Sequence, residues 1–274
     1  MFLENVEIAA GIALIIILSI LAIKLKGIDL PGAGLGALIS LAALLAGGFA
    51  WLSVIIVFFG VSTLFTRFRY EYKRRLGSAQ EKGGIRSWPN TIANGLVSGL
   101  ASLAAIILHE EIFAIAFLGS MAAAMSDTIA TEIGVLSKSR PRSIVNLKMY
   151  VAPGTSGGVS FLGEVSGLLS AIGIAALGLG ARIITGNTAS QLSAFVVVVL
   201  SAVIATNFDS LLGATIQSQN RCQVCGSPTE RLFHHKKRTI TLKGVKFVEN
   251  NAVNLIATAV AALISIAAYM IFVS

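Results

Sequence analysis

The chain has 274 residues, of which 55% are hydrophobic and only 12% are charged, and its mean hydropathy is +0.83. This composition excludes an ordinary soluble domain and indicates a helical protein that crosses a membrane several times. The formal net charge of +8 would suggest nucleic-acid binding in a soluble chain. Anionic lipid headgroups attract Lys and Arg beside a membrane in the same way, so no nucleic-acid partner is expected here.

The apolar residues are grouped into segments that approach the roughly 20 residues needed for a membrane-spanning helix. We therefore predict an all-α polytopic bundle of about eight helices, within a range of about six to nine, and a single integral membrane domain over residues 1–274. In chain order, the predicted spans cover residues 8–25, 31–47, 49–66, 91–108, 112–126, 158–181, 190–207 and 252–273.

The basic residues fall almost entirely on one side of this predicted bundle. All of the 21 Lys and Arg residues except Arg182 lie in, or within two residues of, the loops after the first, third, fifth and seventh spans. By the positive-inside rule these loops face the cytoplasm, so both termini are expected outside the cell membrane. The three longest predicted loops are a basic loop at 67–90, an active-site loop at 127–157 and a Cys/His loop at 218–249.

Two pairs of asparagines stand at the start of predicted spans. Asn90 and Asn94 begin the fourth span, and Asn250 and Asn254 begin the eighth. Each pair has its amides one helical turn apart at the same membrane depth. Helix capping and ligand contact both account for such pairs, and as ligand contacts they would orient the head of a substrate.

The fifth span ends in the sequence Ser-Asp-Thr-Ile-Ala-Thr-Glu-Ile-Gly over residues 126–134. An ionised Asp at a membrane boundary costs several kcal/mol unless it faces protein, water or a cation, so a functional role is expected for Asp127. On a helix, Asp127 and Glu132 would lie about 140° apart. This assigns Asp127 to a Mg²⁺–phosphate complex and Glu132 to a basic or amide partner, with Ser126 and Thr131 as further phosphate contacts. Neutralisation of a neighbouring Lys is the alternative role for the acids.

The seventh span ends in a similar setting, because Asp209 is followed by small residues and then by Thr215. We expect Asp209 to share the Mg²⁺ ion with Asp127, since Mg²⁺ usually takes one or two carboxylates together with substrate phosphates. Asp127, Glu132 and Asp209 are therefore the candidate catalytic residues.

Basic residues and a Gly-rich turn connect the fifth span to the sixth. Glycines before a helix leave backbone N–H groups free to contact an anion, although a tight turn for helix packing is the alternative. No Gly-Lys-Ser/Thr follows the glycines, so the turn is not a Walker A loop. The candidate phosphate-binding residues of this connection are Lys138, Arg140, Arg142, Lys148, Gly154, Thr155, Gly157 and Gly158.

The loop at 218–249 contains both cysteines of the chain. Cys222 and Cys225 form a Cys-x-x-Cys-Gly sequence, and His234 and His235 follow nine and ten residues later. This spacing suits a structural Zn²⁺ ion with four tetrahedral ligands. A pair of free thiols and a redox dithiol are the alternatives, and a cytosolic loop disfavours a disulfide.

Six motifs occur in order: Asn-x-x-x-Asn-Gly, Ser-Asp-Thr-x-Ala-Thr-Glu-x-Gly, Pro-Gly-Thr-x-Gly-Gly-Val-Ser, Asp-Ser-Leu-Leu-Gly-Ala-Thr, Cys-x-x-Cys and Asn-Asn-x-Val-Asn. Over essentially the whole chain, this order resembles the DUF92 (transmembrane protein 19) family of integral membrane proteins. Plant members of that family are phytyl-phosphate kinases, so the resemblance implies that reaction class. The chain departs from the pattern at His235, where a further ligand such as Cys is expected. More loosely, Asp127 through Gly158 looks like the acid, basic stretch and Gly-Gly order of dolichol kinases and phosphatidate cytidylyltransferases.

The sequence therefore predicts a Mg²⁺-dependent membrane kinase that transfers a phosphoryl group from a nucleoside triphosphate, such as CTP, to a polyprenyl, phytyl or geranylgeranyl monophosphate. One alternative is a transporter or flippase for an anionic lipid or metabolite. Another is a CTP-dependent nucleotidyltransferase acting on a lipid phosphate. A transporter should have polar groups near the midplane of several spans, whereas here the polar clusters lie at one edge of the bundle.

Overall fold

The computed structural model describes residues 2–183, 188–224, 228–229, 233–234 and 236–272. In these ranges the chain forms long helices joined by loops that contain short helices and strands. The helices are α1 (Phe2–Lys24), α2 (Leu30–Arg67), α3 (Tyr70–Arg75), α4 (Glu81–Gly84), α5 (Trp88–Leu108), α6 (Ile112–Gly134), α7 (Phe161–Gly180), α8 (Thr188–Thr215) and α9 (Asn250–Phe272). The strands are β1 (Arg142–Ser143), β2 (Asn146–Tyr150), β3 (Gly158–Val159), β4 (Gln219–Arg221), β5 (Pro228–Thr229), β6 (Phe233–His234), β7 (Lys237–Arg238) and β8 (Ile240–Lys243).

Seven of the helices in the described chain are long and apolar enough to cross a membrane: α1, α2, α5, α6, α7, α8 and α9. The predicted polytopic helical membrane fold is therefore confirmed. The strands belong to the connecting loops. They form the antiparallel sheets β2-β1-β3 and β5-β4-β8 and the hairpin β6-β7, with Ser143 opposite Gly158 and Asn220 opposite Thr241.

The helix α2 is a hairpin of two spans. Its backbone leaves the helical conformation at Gly47 and Gly48, and Gly48 has a φ of 62°, which costs glycine little because it lacks a Cβ. In a continuous helix Gly36 and Phe58 would be about 33 Å apart, yet both line one cavity. Arg67, the last residue of α2, donates a hydrogen bond to the carbonyl of Leu25 over 2.6 Å. The two halves match the second and third predicted spans, so the described helices are sufficient for eight crossings.

The loops that carry the basic residues meet at one end of the bundle. Arg86 N–H donates to the carbonyl of Gly27 over 3.0 Å, and Ser78 Oγ donates to the carbonyl of Pro153 over 3.2 Å. Because the described helices run along the bundle an even number of times, α1 begins and α9 ends at the opposite end. We call the first end the basic rim, formed by residues 25–29, 68–87, 135–160, 216–224 and 236–249. That it faces the cytoplasm stays a prediction.

The helix α6 occupies the centre of the bundle and packs against α2, α5, α7, α8 and α9. Small residues make this possible, since Gly119 approaches Ser265 of α9 so closely that a Cβ atom at Gly119 would overlap it. The rings of Trp51 and Phe117 stack with centroids 4.4 Å apart. These contacts fix α6 between its neighbours, and its last turns reach the basic rim.

Two helices continue beyond their predicted ends. We expected the fifth span to stop at residue 126 and the seventh at residue 207, but α6 continues to Gly134 and α8 to Thr215. The segment predicted as a loop at 127–157 therefore begins with two helical turns. Thr215, in the added turns of α8, bonds within the helix, because its Oγ1 donates to the Leu211 carbonyl over 2.7 Å.

Candidate functional site

A polar cavity lies at the basic rim where α5, α6, α8 and α9 converge. It has about 500 Å³ of space not filled by atoms, which includes space open to the surroundings. We call it the polar pocket; its lining residues are Thr66, Gln80, Arg86, Asn90, Asn94, Asp127, Thr128, Thr131, Glu132, Asp209, Asn250 and Asn254.

Many of the residues selected from the sequence line this one pocket. They come from four helices that are distant in the chain, and the extra helical turns of α6 and α8 place Asp127 and Asp209 at the same cavity. The predicted site residues found together are Asn90, Asn94, Asp127, Thr131, Glu132, Asp209, Asn250 and Asn254.

The carboxylate of Glu132 has a buried cationic partner. Lys73 Nζ lies 2.6 Å from Glu132 Oε2, and the side chain of Lys73 is only 1% exposed. Lys73 also donates to the carbonyl of Phe65 over 2.7 Å, so the short helix α3 is fixed against the end of α2. Glu132 therefore has the basic partner that its sequence position predicted, and its charge is compensated before any ligand arrives.

The two aspartates of the pocket differ in their partners. In the amide orientation that satisfies both groups, Asn254 Nδ2 donates to Asp209 Oδ2 over 3.2 Å and to the carbonyl of Asn250 over 3.0 Å. The side chain of Asp127 makes no hydrogen bond or ion pair with the described part of the chain. Asp127 is thus the carboxylate most available to a ligand or cation, with Asp209 oriented from the facing wall.

The asparagine pair on α5 presents acceptors to the pocket. Asn94 Nδ2 donates to the carbonyl of Asn90 over 2.9 Å, while the Oδ1 atoms of Asn90 and Asn94 are buried without a hydrogen-bond partner among the described residues. A buried polar atom without a partner costs about 1–3 kcal/mol. A ligand that supplies a donor or a cation would recover that free energy.

Arg86 is a buried cation in the lining of the polar pocket, and its backbone contacts the loop after α1. Its backbone pairs with that of Ile28, and its guanidinium lies 5.5 Å from the centre of the Phe58 ring. Burial lowers the pKa of Arg86 to about 10, while the nearby Glu132 carboxylate acts in the opposite direction. Arg86 therefore stays charged at neutral pH, and its Nε has no hydrogen-bond partner among the described residues.

The lining chemistry fits a Mg²⁺–phosphate complex. Among the described residues no three His, Cys, Asp or Glu side chains form a metal cluster, so a cation here would need other oxygen ligands. Mg²⁺ binds oxygen atoms and usually completes one or two carboxylates with substrate phosphates. Asp127, Asp209 and the unpartnered Oδ1 atoms of Asn90 and Asn94 are oxygen donors of this kind.

The predicted basic phosphate contacts do not reach the polar pocket. Their side chains are exposed, and Arg142 bonds within its own hairpin, to the Leu147 carbonyl over 3.0 Å and to the Tyr150 hydroxyl over 3.3 Å. Ser126 is buried and faces Gly167 of α7, so it also lies outside the lining. The basic residues in question are Lys138, Arg140, Arg142 and Lys148.

The Gly-rich turn packs against helices and does not line the pocket. Two of its N–H groups are used internally, since Gly158 donates to the Thr155 carbonyl over 2.8 Å and Thr155 donates to the Ala152 carbonyl over 3.1 Å. Gly157 has a φ of 76°, and a Cβ there would overlap Ala214 of α8. Gly154 likewise lies against Ser78. These contacts favour the packing alternative over an anion cradle.

The predicted zinc loop stays a prediction. Cys222 is buried, and Val224 N–H donates to its Sγ over 3.3 Å. Cys225 and His235 lie outside the described residues, and so does the side chain of His234.

Two charged residues of the site were missed from the sequence. Lys73 belongs to the run from Arg67 to Arg75, which we interpreted through membrane topology. Arg86 stands one turn before Asn90, and that proximity to an amide pair was the available signal. Burial distinguishes both from their neighbours, because Lys73 is fully buried whereas Arg74 is exposed.

Comparison with known proteins places the chain among membrane proteins. The family model described as "Integral membrane protein DUF92" matches residues 13–262. "Protein PGR" of Arabidopsis thaliana is 30% identical over 91% of this chain and 92% of its own length. An uncharacterized membrane protein of Synechocystis is 31% identical over 61% of this chain and 63% of its own. "Protein VTE6, chloroplastic" of Arabidopsis thaliana is 25% identical over 90% and 68%. No solved structure matches the chain.

Proposed function

Since the chain belongs to the DUF92 family of integral membrane proteins, we propose that it is a prenyl-phosphate kinase. In this reaction the terminal phosphate oxygen of a prenyl monophosphate attacks the γ-phosphorus of a nucleoside triphosphate. The bond between that phosphorus and the β–γ bridging oxygen breaks, and the nucleoside diphosphate leaves. The products are a prenyl diphosphate and a nucleoside diphosphate, with CTP as the first donor to test.

The observation that carries this proposal is the convergence of Asp127, Asp209, Arg86 and two amide pairs in one polar pocket at the edge of an apolar bundle. Phosphoryl transfer depends mainly on positioning and on compensation of phosphate charge. A pocket of acids, amides and one buried cation suits those two tasks. Glu132 takes no direct part in this assignment, because Lys73 already neutralises it.

In this proposal the lining residues of the polar pocket have separate roles. Asp127 and Asp209 would hold Mg²⁺, which when bound compensates the charge on the phosphate oxygens. Arg86 would bind a phosphate oxygen through its unpartnered Nε. The amides of Asn90 and Asn94 would orient the transferred group. A general base is not required, because a phosphate monoester with a second pKa of about 6 is already largely dianionic near neutral pH.

The pocket position argues against a carrier. Its polar lining comes from the rim loops and the rim-side turns of α2, α5, α6, α8 and α9. An alternating-access carrier is expected to bind its cargo near the bilayer midplane. This leaves an enzyme that acts on a lipid from one face as the better fit.

The test uses the purified full-length protein with geranylgeranyl or phytyl monophosphate, Mg²⁺ and each of ATP, CTP, GTP and UTP. Mass spectrometry would identify the products. Prenyl diphosphate with nucleoside diphosphate supports a kinase, whereas a nucleotidyl-linked lipid with released diphosphate identifies a nucleotidyltransferase. Absence of product with all four donors would refute the proposal.

The variant Asp127→Asn tests the assigned role of the carboxylate. We expect kcat to fall at least about 100-fold, the range seen when one charge-stabilising group is removed from a preorganised site. Glu110→Gln is the control, because Glu110 is exposed at the opposite end of the bundle, before α6. Full activity in Asp127→Asn would exclude the metal role.

A further inference from the structure

A second cavity adjoins the polar pocket on the side away from α8 and α9. Between the two halves of α2, α5 and α6 it has about 470 Å³ of space not filled by atoms, which includes space open to the surroundings. We call it the apolar crevice; its hydrophobic lining comes mainly from Gly36, Ile39, Ile55, Phe58, Phe59 and Met121.

The crevice and the polar pocket are joined through a common wall. Arg86, Asn90 and Asn94 line both cavities. A single ligand can therefore place a charged group beside Arg86 and extend an apolar group into the crevice without leaving the protein.

The crevice reaches deep into the membrane-spanning part of the bundle. Its lining includes Ser98, ten residues into α5, and Met121, thirteen residues before the rim end of α6. At 1.5 Å per helical residue these positions lie about 15 and 20 Å from the helix ends at the basic rim. A hydrocarbon core of about 30 Å would thus be penetrated to roughly its middle.

The crevice ends in groups that offer a ligand little polar contact. Ser98 Oγ is already bonded to the carbonyl of Gly95 over 2.8 Å, and Ile39, Ile55 and Met121 are hydrophobic. Thr91 also lines the crevice outside the shared wall, but its Oγ1 donates to the Ser87 carbonyl over 3.4 Å. The polar groups left for recognition therefore belong to the wall shared with the polar pocket. The arrangement matches a molecule with one charged end and one flexible hydrocarbon end.

We propose that the apolar crevice binds the isoprenoid tail of the lipid monophosphate whose phosphate occupies the polar pocket. This rests on the proposed kinase function for the identity of the headgroup. Burial of the tail would supply affinity in proportion to its apolar area, and the shared wall would fix its phosphate beside Arg86. The crevice then selects the tail, while the pocket carries the phosphates.

Small residues leave room for that tail. A Cβ built at Gly36 would have only Thr91 Cγ2, 4.0 Å away, as a neighbour. At Gly95 a Cβ would lie 2.8 Å from Ile39 Cδ1, so Gly95 permits the present position of Ile39. A larger side chain at Gly36 would extend into the space around it without a backbone clash.

The variant Gly36→Leu fills the crevice, and Gly34→Leu is its matched control. Gly34 lies two residues earlier on the same helix, is exposed and lines neither cavity, and a Cβ at Gly34 would meet no atom within 4 Å. Both substitutions therefore change helix propensity alike. Elution as a single species in size-exclusion chromatography and an unchanged unfolding temperature would show that each variant is folded.

The first measurement compares kcat/KM for geranylgeranyl monophosphate and for dimethylallyl monophosphate in the full-length protein. We expect Gly36→Leu to lower the long-to-short ratio by at least about tenfold, equivalent to about 1.4 kcal/mol. Gly34→Leu should leave the ratio within about twofold. If Gly36→Leu is an active kinase with an unchanged ratio, the isoprenoid tail does not bind in the apolar crevice. The proposed kinase function would not be contradicted by that result.

The second measurement does not depend on turnover. A geranylgeranyl monophosphate analogue with a diazirine on its tail is photolysed with the protein, and labelled peptides are identified by mass spectrometry. Labelling at Ile39 or Phe59 that unlabelled geranylgeranyl monophosphate prevents would support the crevice even if no donor gave product. Labelling confined to exposed positions of α1 would overturn it.

Discussion

Replacement of Lys73 by methionine removes one partner of a fully buried ion pair. Lys73 Nζ lies 2.6 Å from Glu132 Oε2, and the two side chains are 1% and 11% exposed. Methionine has a similar length, so the main change is the loss of the charge and of the hydrogen bond to the Phe65 carbonyl. The carboxylate of Glu132 is then buried without its closest cation.

The loss in free energy of unfolding is expected to be large because the Lys73–Glu132 pair is buried. Loss of one partner of a buried pair costs about 3–5 kcal/mol, because the remaining charge is left uncompensated. Arg86 interacts electrostatically with Glu132 and stays in place, so we expect the lower part of that range, about 3–4 kcal/mol. At about 2–4 °C per kcal/mol for a large domain, the unfolding temperature should fall by about 6–16 °C.

The assay is thermal unfolding of the purified protein in detergent, followed by the fluorescence of its two tryptophans. Arg74→Met is the matched control, because Arg74 follows Lys73 on α3 and pairs with Glu71 over 2.7 Å while 68% exposed. Exposed pairs contribute at most about 1 kcal/mol. The double variant Lys73→Met with Glu132→Gln removes the orphaned charge and should recover at least half of the lost stability.

Two outcomes would refute this reasoning. Lys73→Met could unfold at the same temperature as Arg74→Met, which would mean that the buried pair carries no more energy than an exposed one. The double variant could also be no more stable than Lys73→Met, which would mean that the uncompensated carboxylate is not the source of the loss.

Two further predictions concern the loops of the basic rim. Gly157→Ala should destabilise the protein by about 1–3 kcal/mol, because the new Cβ meets the α8 backbone and the residue has a positive φ. The control Gly173→Ala should be neutral or stabilising, because a Cβ at Gly173 meets no atom within 4 Å. Equal unfolding temperatures for the two variants would contradict this prediction. If the Cys-x-x-Cys loop binds zinc, elemental analysis of the purified protein should find about one Zn²⁺ per chain, and the double substitution Cys222→Ser with Cys225→Ser should remove it; unchanged metal content in the double variant would exclude these ligands.

The spans were predictable from hydropathy because that property depends on local sequence. For the same reason, the predicted boundary between the spans 31–47 and 49–66 coincides with the break at Gly47 and Gly48 in α2. The helix ends near Asp127 and Asp209 were not predictable, because hydropathy falls where polar residues begin. Those turns stay helical in α6 and α8 since neighbouring helices shelter them.

Some residues of the candidate site could likewise be predicted from the sequence, and others could not. Asn90, Asp127 and Asp209 could be grouped from the sequence, because each stands at the same end of its span and the loops alternate in side. Lys73 and Arg86 could not, since a basic residue beside a membrane is expected from topology alone. Only the packing of α3 and of the segment before α5 reveals that these two side chains turn inward.

The spacing of the glycines in the Gly-rich turn does not determine the role of that turn. An anion cradle and a tight packing turn need the same glycines, so the sequence leaves both open. The internal hydrogen bond from Gly158 to Thr155 and the contact of Gly157 with α8 separate them.

The enclosure of α6 also bears on how the protein is assembled and how its orientation can be measured. A helix surrounded by five others, and carrying Ser126 and Asp127, has little lipid-facing surface with which to enter a bilayer alone. Its stable insertion should await synthesis of α7, α8 and α9. Reporter fusions truncated near Gly134 would therefore misreport orientation, and accessibility labelling of single cysteines in the full-length chain is the sounder way to establish which face of the membrane the basic rim occupies.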